Sequence, residues 1–177
     1  MPRADRVKLL LLLGFFATPA MAAWLTHLFW RPATTANYGE LMQPEVPRLP
    51  GLADAKGIPA DLATLRGRWI LLTVATADCD AACGGQLDLS RRVRLAQGRD
   101  QNRIVQALVQ SAPLRIEPPA GLHSFQVPHG ALAHWPGSAR TYLIDPMGRL
   151  MMRFPEAADG QAMARDLRQL LKASGTG

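Results

Sequence analysis

The stretch that decides the fold runs from Trp69 to Cys83 and reads Trp-Ile-Leu-Leu-Thr-Val-Ala-Thr-Ala-Asp-Cys-Asp-Ala-Ala-Cys. Its first part, residues 69–75, is a nearly continuous apolar run, which is typical of a strand covered on both faces of a sheet. Cys79 and Cys83 follow this strand and are the only two cysteines among the 177 residues of the chain. We therefore expect a thiol pair where a buried strand ends and a helix begins.

The spacing of the cysteines lets both thiols face one side of a helix. Residues at i and i+4 have Cβ atoms roughly 5–6 Å apart, and a frayed first turn can bring them to the roughly 4 Å of a disulfide. We expect Asp78 to be the N-cap and the helix N-terminus to lower the pKa of the Cys79 thiol. Two alternatives to a functional thiol pair are buried free cysteines and a structural disulfide. A disulfide that closes so short a loop would add little to the stability of the fold.

The N-terminal segment predicts a membrane anchor. Residues 9–30 contain no charged side chain and are long enough to cross a bilayer core of about 30 Å. Basic residues precede this segment, so the positive-inside rule places the C-terminal domain in the periplasm, beyond a bacterial inner membrane. We predict a single N-terminal transmembrane helix within residues 1–31. The alternative is a signal peptide cleaved near Ala22; in both cases the cysteines meet an oxidising compartment.

The remaining chain predicts a spacer and one α/β domain. Residues 32–59 are rich in proline and glycine, which indicates an extended linker, and residues 60–177 have the length of a single-core domain. A strand, a helix and a second strand in succession favour parallel pairing. The predicted order is strand 69–75, a helix continuing through 86–97, strand 103–109, a hairpin over 141–154 and a C-terminal helix with Met163, Leu167, Leu170 and Leu171 on one face.

The charge is positive but modest. The chain has 20 basic and 14 acidic residues, for a net charge of +6; residues 1–31 hold four of the basic residues and one acidic one, which leaves +3 for the rest. The few aromatic residues are not interleaved with the basic ones, which argues against a nucleic-acid partner. The following arginines can either steer an acidic protein partner or form a solvated helix face: Arg91, Arg92, Arg94, Arg99 and Arg103.

Three motifs together resemble the thioredoxin-like Sco/SenC family of membrane-anchored proteins, which assist copper delivery to cytochrome c oxidase. They are Gly67-Arg-Trp-Ile-Leu-Leu, Cys79-x-x-x-Cys83 at the start of a helix, and Tyr142-Leu-Ile-Asp-Pro-Met-Gly-Arg before the last helix. The resemblance covers about residues 50–172 and implies a three-layer thioredoxin-like α/β fold. It implies copper ligation by both cysteines and by a histidine before the late hairpin; the family position falls at Gly137, and the nearest histidine is His134.

The chemistry of these side chains sets the functional expectations. Two thiolates suit Cu(I), and an imidazole such as that of His134 would extend the site to Cu(II); His129 and His123 are weaker candidates. We predict a factor for copper-site assembly in a respiratory oxidase, or a thiol-disulfide exchanger in which Cys79 attacks and Cys83 resolves.

Other interpretations remain open at this point. Met151 and Met152 alternate across a strand, so both are expected to be packing residues rather than ligands. One alternative function is a non-catalytic, membrane-tethered interaction module. A peroxide-reducing enzyme is disfavoured because no Thr-x-x-Cys motif opens the helix.

Overall fold

The computed structural model describes residues 3–29, 37–76, 78–111, 119–136 and 139–175. The chain forms two compact units, Met1–Ala36 and Asn37–Gly177. The first unit contains helix α1 (Arg3–Phe29). Among the residues that the structure describes, no helix combines the length and the apolar character needed to span a membrane. The end of the predicted anchor at Trp30, and residues 31–36 beyond it, lie outside the described residues.

The second unit is built on a sheet of seven strands in the order β1-β7-β6-β3-β4-β5-β2. Strands β3, β4 and β5 are parallel neighbours, and every other pairing is antiparallel. Helix α2 (Ala81–Leu95) connects β3 to β4, and helix α3 (Gly160–Ala173) follows the last strand. The strands are β1 (Glu40–Glu45), β2 (Ala53–Asp54), β3 (Trp69–Ala75), β4 (Ile104–Gln110), β5 (Leu122–Gln126), β6 (Ala139–Ile144) and β7 (Leu150–Arg153). The predicted strand-helix-strand unit with parallel pairing is confirmed.

The central strand β3 is buried along its whole length because both faces of the sheet are covered. Side chains of Ile70, Leu72 and Val74 enter one core cluster, whereas Trp69 and Leu71 enter a second cluster with α2 and α3. Burying one such aliphatic side chain stabilises the fold by about 1.5–3 kcal/mol. The predicted apolar face of α3 is confirmed, since Met163, Leu167 and Leu171 are buried and Leu170 packs against the same cluster.

The two outer layers of the domain differ in kind. Helices α2 and α3 cover one face of the sheet. The cluster on the other face includes Leu62 and Leu65 from a short 3-10 helix (Leu62–Leu65) and Leu132 and Trp135 from a loop; none of its described members comes from an α-helix. The mixed α/β thioredoxin-like arrangement is present, but the second outer layer that we predicted is built from irregular segments in the described part of the chain.

The predicted spacer contributes to the sheet. We expected residues 32–59 to be an extended linker, but β1 pairs with β7 and β2 pairs with β5 at the two sheet edges. Prolines do not prevent this, because an edge strand leaves one row of N–H groups without a ladder partner. Strand β5 was also not predicted; it lies in the Pro/Gly-rich stretch 113–137, of which residues 112–118 and 137–138 lie outside the described residues.

The hairpin between β6 and β7 is confirmed, and its turn explains the motif around Asp145. The Asp145 carboxylate accepts hydrogen bonds from the N–H groups of Met147 (2.9 Å) and Arg149 (2.8 Å). Gly148 adopts a φ of +86°, a conformation that favours glycine. The turn thus joins β6, which pairs with β3, to β7 on its other side.

The position of His123 leads us to expect that the free energy of unfolding depends on pH. His123 lies on β5, and burial lowers its pKa below the ordinary 6.5, with a further lowering by the charge of Arg68. The folded state therefore binds fewer protons than the unfolded state below about pH 6.5, so the free energy of unfolding should fall as the pH drops from about 7.5 through that range. Urea unfolding at both ends of the range should show a smaller difference for His123→Gln than for the wild type. Equal slopes for His123→Gln and the wild type would contradict the assignment.

Candidate thiol site

Cys79 and Cys83 form a disulfide with their Cα atoms 5.1 Å apart. The pair lies where the chain leaves the carboxyl end of β3 and enters α2. This is the position that the sequence predicted for the thiol pair. Closing the disulfide requires no helical geometry at Cys79, because that residue precedes the helix.

The helix N-cap is Asp80, so the prediction of Asp78 as the cap is wrong. The Asp80 side chain accepts the backbone N–H of Cys83 at 3.0 Å, and its carbonyl accepts the N–H of Gly84 at 2.9 Å. Cys79 therefore stands just outside α2, whereas Cys83 is held in the first turn. The Asp80 carboxylate takes one of the amides that we expected to act on the Cys79 thiolate.

The two sulfurs differ in access to solvent. Cys83 is fully buried and packs with Ala75, Leu108 and Ala139. Cys79 is half-buried and packs at the edge of the same cluster. The disulfide is therefore partly accessible to solvent at Cys79 and closed to solvent at Cys83.

A buried polar contact beneath the disulfide was missed from the sequence. Gln86, one turn after Cys83, accepts a hydrogen bond from the Thr141 hydroxyl (3.2 Å) and donates its amide to the carbonyl of Glu156. These bonds tie the first turns of α2 to β6 and to the loop before α3. The sequence could have indicated this contact, because it places a glutamine and a threonine at positions that face the core, and buried polar groups need hydrogen-bond partners.

His134 lines a cavity that neither cysteine lines. This cavity, of about 310 Å³, also contacts Met42, Glu45 and Trp135. The Trp135 ring packs edge-on against Tyr142 at 4.7 Å, on the sheet face opposite to the one that Cys83 contacts. The structure thus brings Cys79 and Cys83 together and places His134 elsewhere.

The other histidines and the methionines occupy separate places. His129 lines a cavity of about 290 Å³ with Thr76 and Ser111, at the carboxyl ends of β3 and β4. Within the described ranges, no three or more His, Cys, Asp or Glu side chains form a group that could hold a metal ion. Met152 is fully buried and Met151 packs against the same cluster, which confirms both as packing residues.

Comparison with known proteins gives the family. Residues 69–174 match the family described as the transmembrane-like, thioredoxin-like, C-terminal domain. The chain belongs to this family of thioredoxin-like proteins. No curated protein matches the chain.

Solved structures agree on the fold. Yeast Sco1 is similar with a TM-score of 0.57 and 15% identity, over 75% of this chain and 95% of that one. Copper-bound ScoI of Arabidopsis thaliana has a TM-score of 0.56 and 11% identity, over 77% and 99% of the two chains. The exposed lipoprotein thioredoxin Etrx1 of Streptococcus pneumoniae has a TM-score of 0.50 and 17% identity, over 67% and 96%. The protein thus has a Sco-like thioredoxin fold, as the sequence motifs predicted.

Proposed function

We propose that this chain assists copper-site assembly in a respiratory cytochrome c oxidase, through Cu(I) binding or thiol-disulfide exchange at Cys79 and Cys83. The observation that carries the proposal is the pairing of an accessible Cys79 with a buried Cys83 at the end of the central strand. The likeness in fold to copper-bound ScoI and to yeast Sco1 supports it. The lipoprotein thioredoxin Etrx1 also has a similar fold. For this reason the proposal includes thiol-disulfide exchange as well as copper binding.

The thiol pair fits copper as cargo in the reduced state. Two electrons and two protons from a partner dithiol convert the disulfide to two thiols, while the partner becomes a disulfide. Deprotonated thiols are soft ligands that select Cu(I) over harder ions. The third ligand that we propose is His134, which is the histidine nearest to Gly137, the position at which the resemblance expects one. Its cavity does not include the cysteines, so ligation would need the loop that carries it to move.

The pair also supports exchange without metal. The Cys79 thiolate attacks a partner disulfide and forms a mixed disulfide, and one partner sulfur leaves as a thiolate. The Cys83 thiolate then attacks the Cys79 sulfur, which releases the second partner sulfur and regenerates the intramolecular disulfide. Burial of Cys83 keeps it available for this second step, since competing thiols and oxidants cannot reach it.

An anaerobic Cu(I) competition titration on the reduced full chain tests the copper proposal. The wild type should bind one Cu(I), and Cys83→Ser should lose this binding because a single thiolate remains. His134→Ala should weaken Cu(II) binding more than Cu(I) binding, and His129→Ala is the matched control. Intact Cu(I) binding in Cys83→Ser would contradict the site, and equal effects of the two histidine substitutions would remove His134 as a ligand.

We propose that the uncharged segment 9–30 anchors the protein in the bacterial inner membrane with its C-terminal domain in the periplasm. Support comes from the sequence, in which 22 successive residues lack a charge and basic residues precede them. The chain should stay in membranes washed with carbonate, and a reporter active only outside the cytoplasm should work after Gly177. Release of a shortened protein that begins near Ala23 would establish a cleaved signal peptide instead.

A further inference from the structure

The groove between α2 and α3 has a basic rim and an apolar floor. Its volume is about 560 Å³. Leu89, Val93 and Ala164 contribute apolar side chains. The guanidinium groups along the groove belong to Arg92, Arg165 and Arg168. The thiol chemistry proposed above uses none of these residues.

The positive charge of this groove is largely unneutralised. Arg165 and Arg168 are exposed, and neither forms an ion pair or a hydrogen bond within the described part of the chain. Arg92 contacts Asp88 at 3.2 Å, but their side chains are 65% and 52% exposed, and such a surface pair contributes little. The one carboxylate among the described lining residues is Asp159, which caps α3 by accepting the N–H of Gln161.

The walls of the groove are fixed before any partner binds. At one end, a Cβ on Gly160 would lie 2.8 Å from Leu89, so the glycine lets α3 begin close against α2. Farther along, the buried amide of Gln97 donates to the carbonyls of Val93 (3.0 Å) and Ala164 (3.3 Å) and joins the two helices. A preformed groove spares a partner part of the cost of ordering the surface it binds.

We propose that this groove binds an acidic segment of a partner protein, which places carboxylates against Arg165 and Arg168 and apolar side chains on the floor. Charge complementarity sets the sign of the partner. A second copy of this chain is a poor occupant because its net charge is +6. A concave apolar floor can receive the apolar side chains of a protein segment, as in grooves that bind helical segments. A flat bilayer surface would not fill such a groove.

The groove also lies close to the disulfide. Leu89 follows Cys83 on the same helix at a distance of roughly 9 Å along the axis, at 1.5 Å per residue. The groove contains neither cysteine, so this inference stands independently of the proposed thiol chemistry.

Photocrosslinking in the cells that carry the gene tests the inference. The full chain with Gln161→p-benzoylphenylalanine places the probe on the exposed rim. After irradiation, the crosslinked peptides are identified by mass spectrometry. We expect adducts to a net-acidic segment of one protein, with a yield that falls roughly tenfold or more in Arg165→Glu/Arg168→Glu because like charges then face each other. Arg48→Glu/Lys56→Glu changes the net charge equally at exposed positions outside the groove and should keep the yield.

Four outcomes would overturn the inference: adducts to lipid, adducts to neutral or basic protein segments, no adducts, or equal losses in both charge-reversed variants. Two further measurements separate it from the proposed function. Cys79→Ser/Cys83→Ser should retain the adducts, and Arg165→Glu/Arg168→Glu should retain wild-type Cu(I) binding. A failure of copper binding therefore leaves the groove result unaffected, and the converse also holds.

Discussion

After reduction of the disulfide, Cys79 should be alkylated on the order of a hundredfold or more faster than Cys83, because a fully buried thiol reacts only when the structure opens locally. Cys83 has no solvent exposure and is packed among Ala75, Leu108 and Ala139. Cys79 lies outside the helix and is partly exposed. A timed pulse of iodoacetamide on the reduced full chain, followed by peptide mass spectrometry, measures both rates in one sample.

Single cysteine variants provide the control for this experiment. With glutathione disulfide, Cys83→Ser should accumulate a lasting mixed disulfide at Cys79, because no second thiolate is present to resolve it. Cys79→Ser should accumulate little of the corresponding adduct at the buried Cys83. Equal alkylation rates, or a faster Cys83, would show that the first turn of α2 opens readily, and would remove Cys79 from its role as the attacking residue.

The sequence predicts those helices and strands whose pattern of burial stays the same along their whole length. Strand β3 is buried on both faces, so its burial is visible as an apolar run. Helix α3 buries one face, so its periodicity gives both its existence and its orientation. Strands β1, β2 and β5 are short edge or near-edge elements of mixed burial, and no run or alternation distinguishes them from loop.

The details of the site depend on contacts that the local sequence does not contain. Asp78 and Asp80 flank Cys79, and either carboxylate can cap a helix; the backbone path after β3 selects Asp80. The bond between Gln86 and Thr141 joins residues 55 apart in the chain. The number of residues between His134 and Tyr142 does not tell on which face of the sheet the loop that carries His134 lies. The packing of Trp135 on Tyr142 determines that face.

The second large expected effect is a loss of stability on substitution of Gly39, in the segment before β1. Gly39 is buried, and its N–H donates to the buried carboxylate of Asp166 at 2.8 Å. A Cβ at Gly39 would lie 2.9 Å from the ring of Phe154 and would also overlap the Met152 side chain. Both of those side chains are buried in the cluster beneath α3. The predicted linker therefore reaches the core at this glycine.

Gly39→Ala should lower the free energy of unfolding by about 1–3 kcal/mol, because the added methyl overpacks a filled core. Urea unfolding of the full chain, followed by the fluorescence of the buried Trp69 and Trp135, measures the change. Gly85→Ala is the matched control: its Cβ meets nothing within 4 Å, and alanine in a helix interior should raise stability by roughly 0.5–1 kcal/mol. Opposite signs for the same chemical change would establish that Gly39 is part of the folded domain. A neutral Gly39→Ala would instead contradict the close packing of Gly39 against Met152 and Phe154.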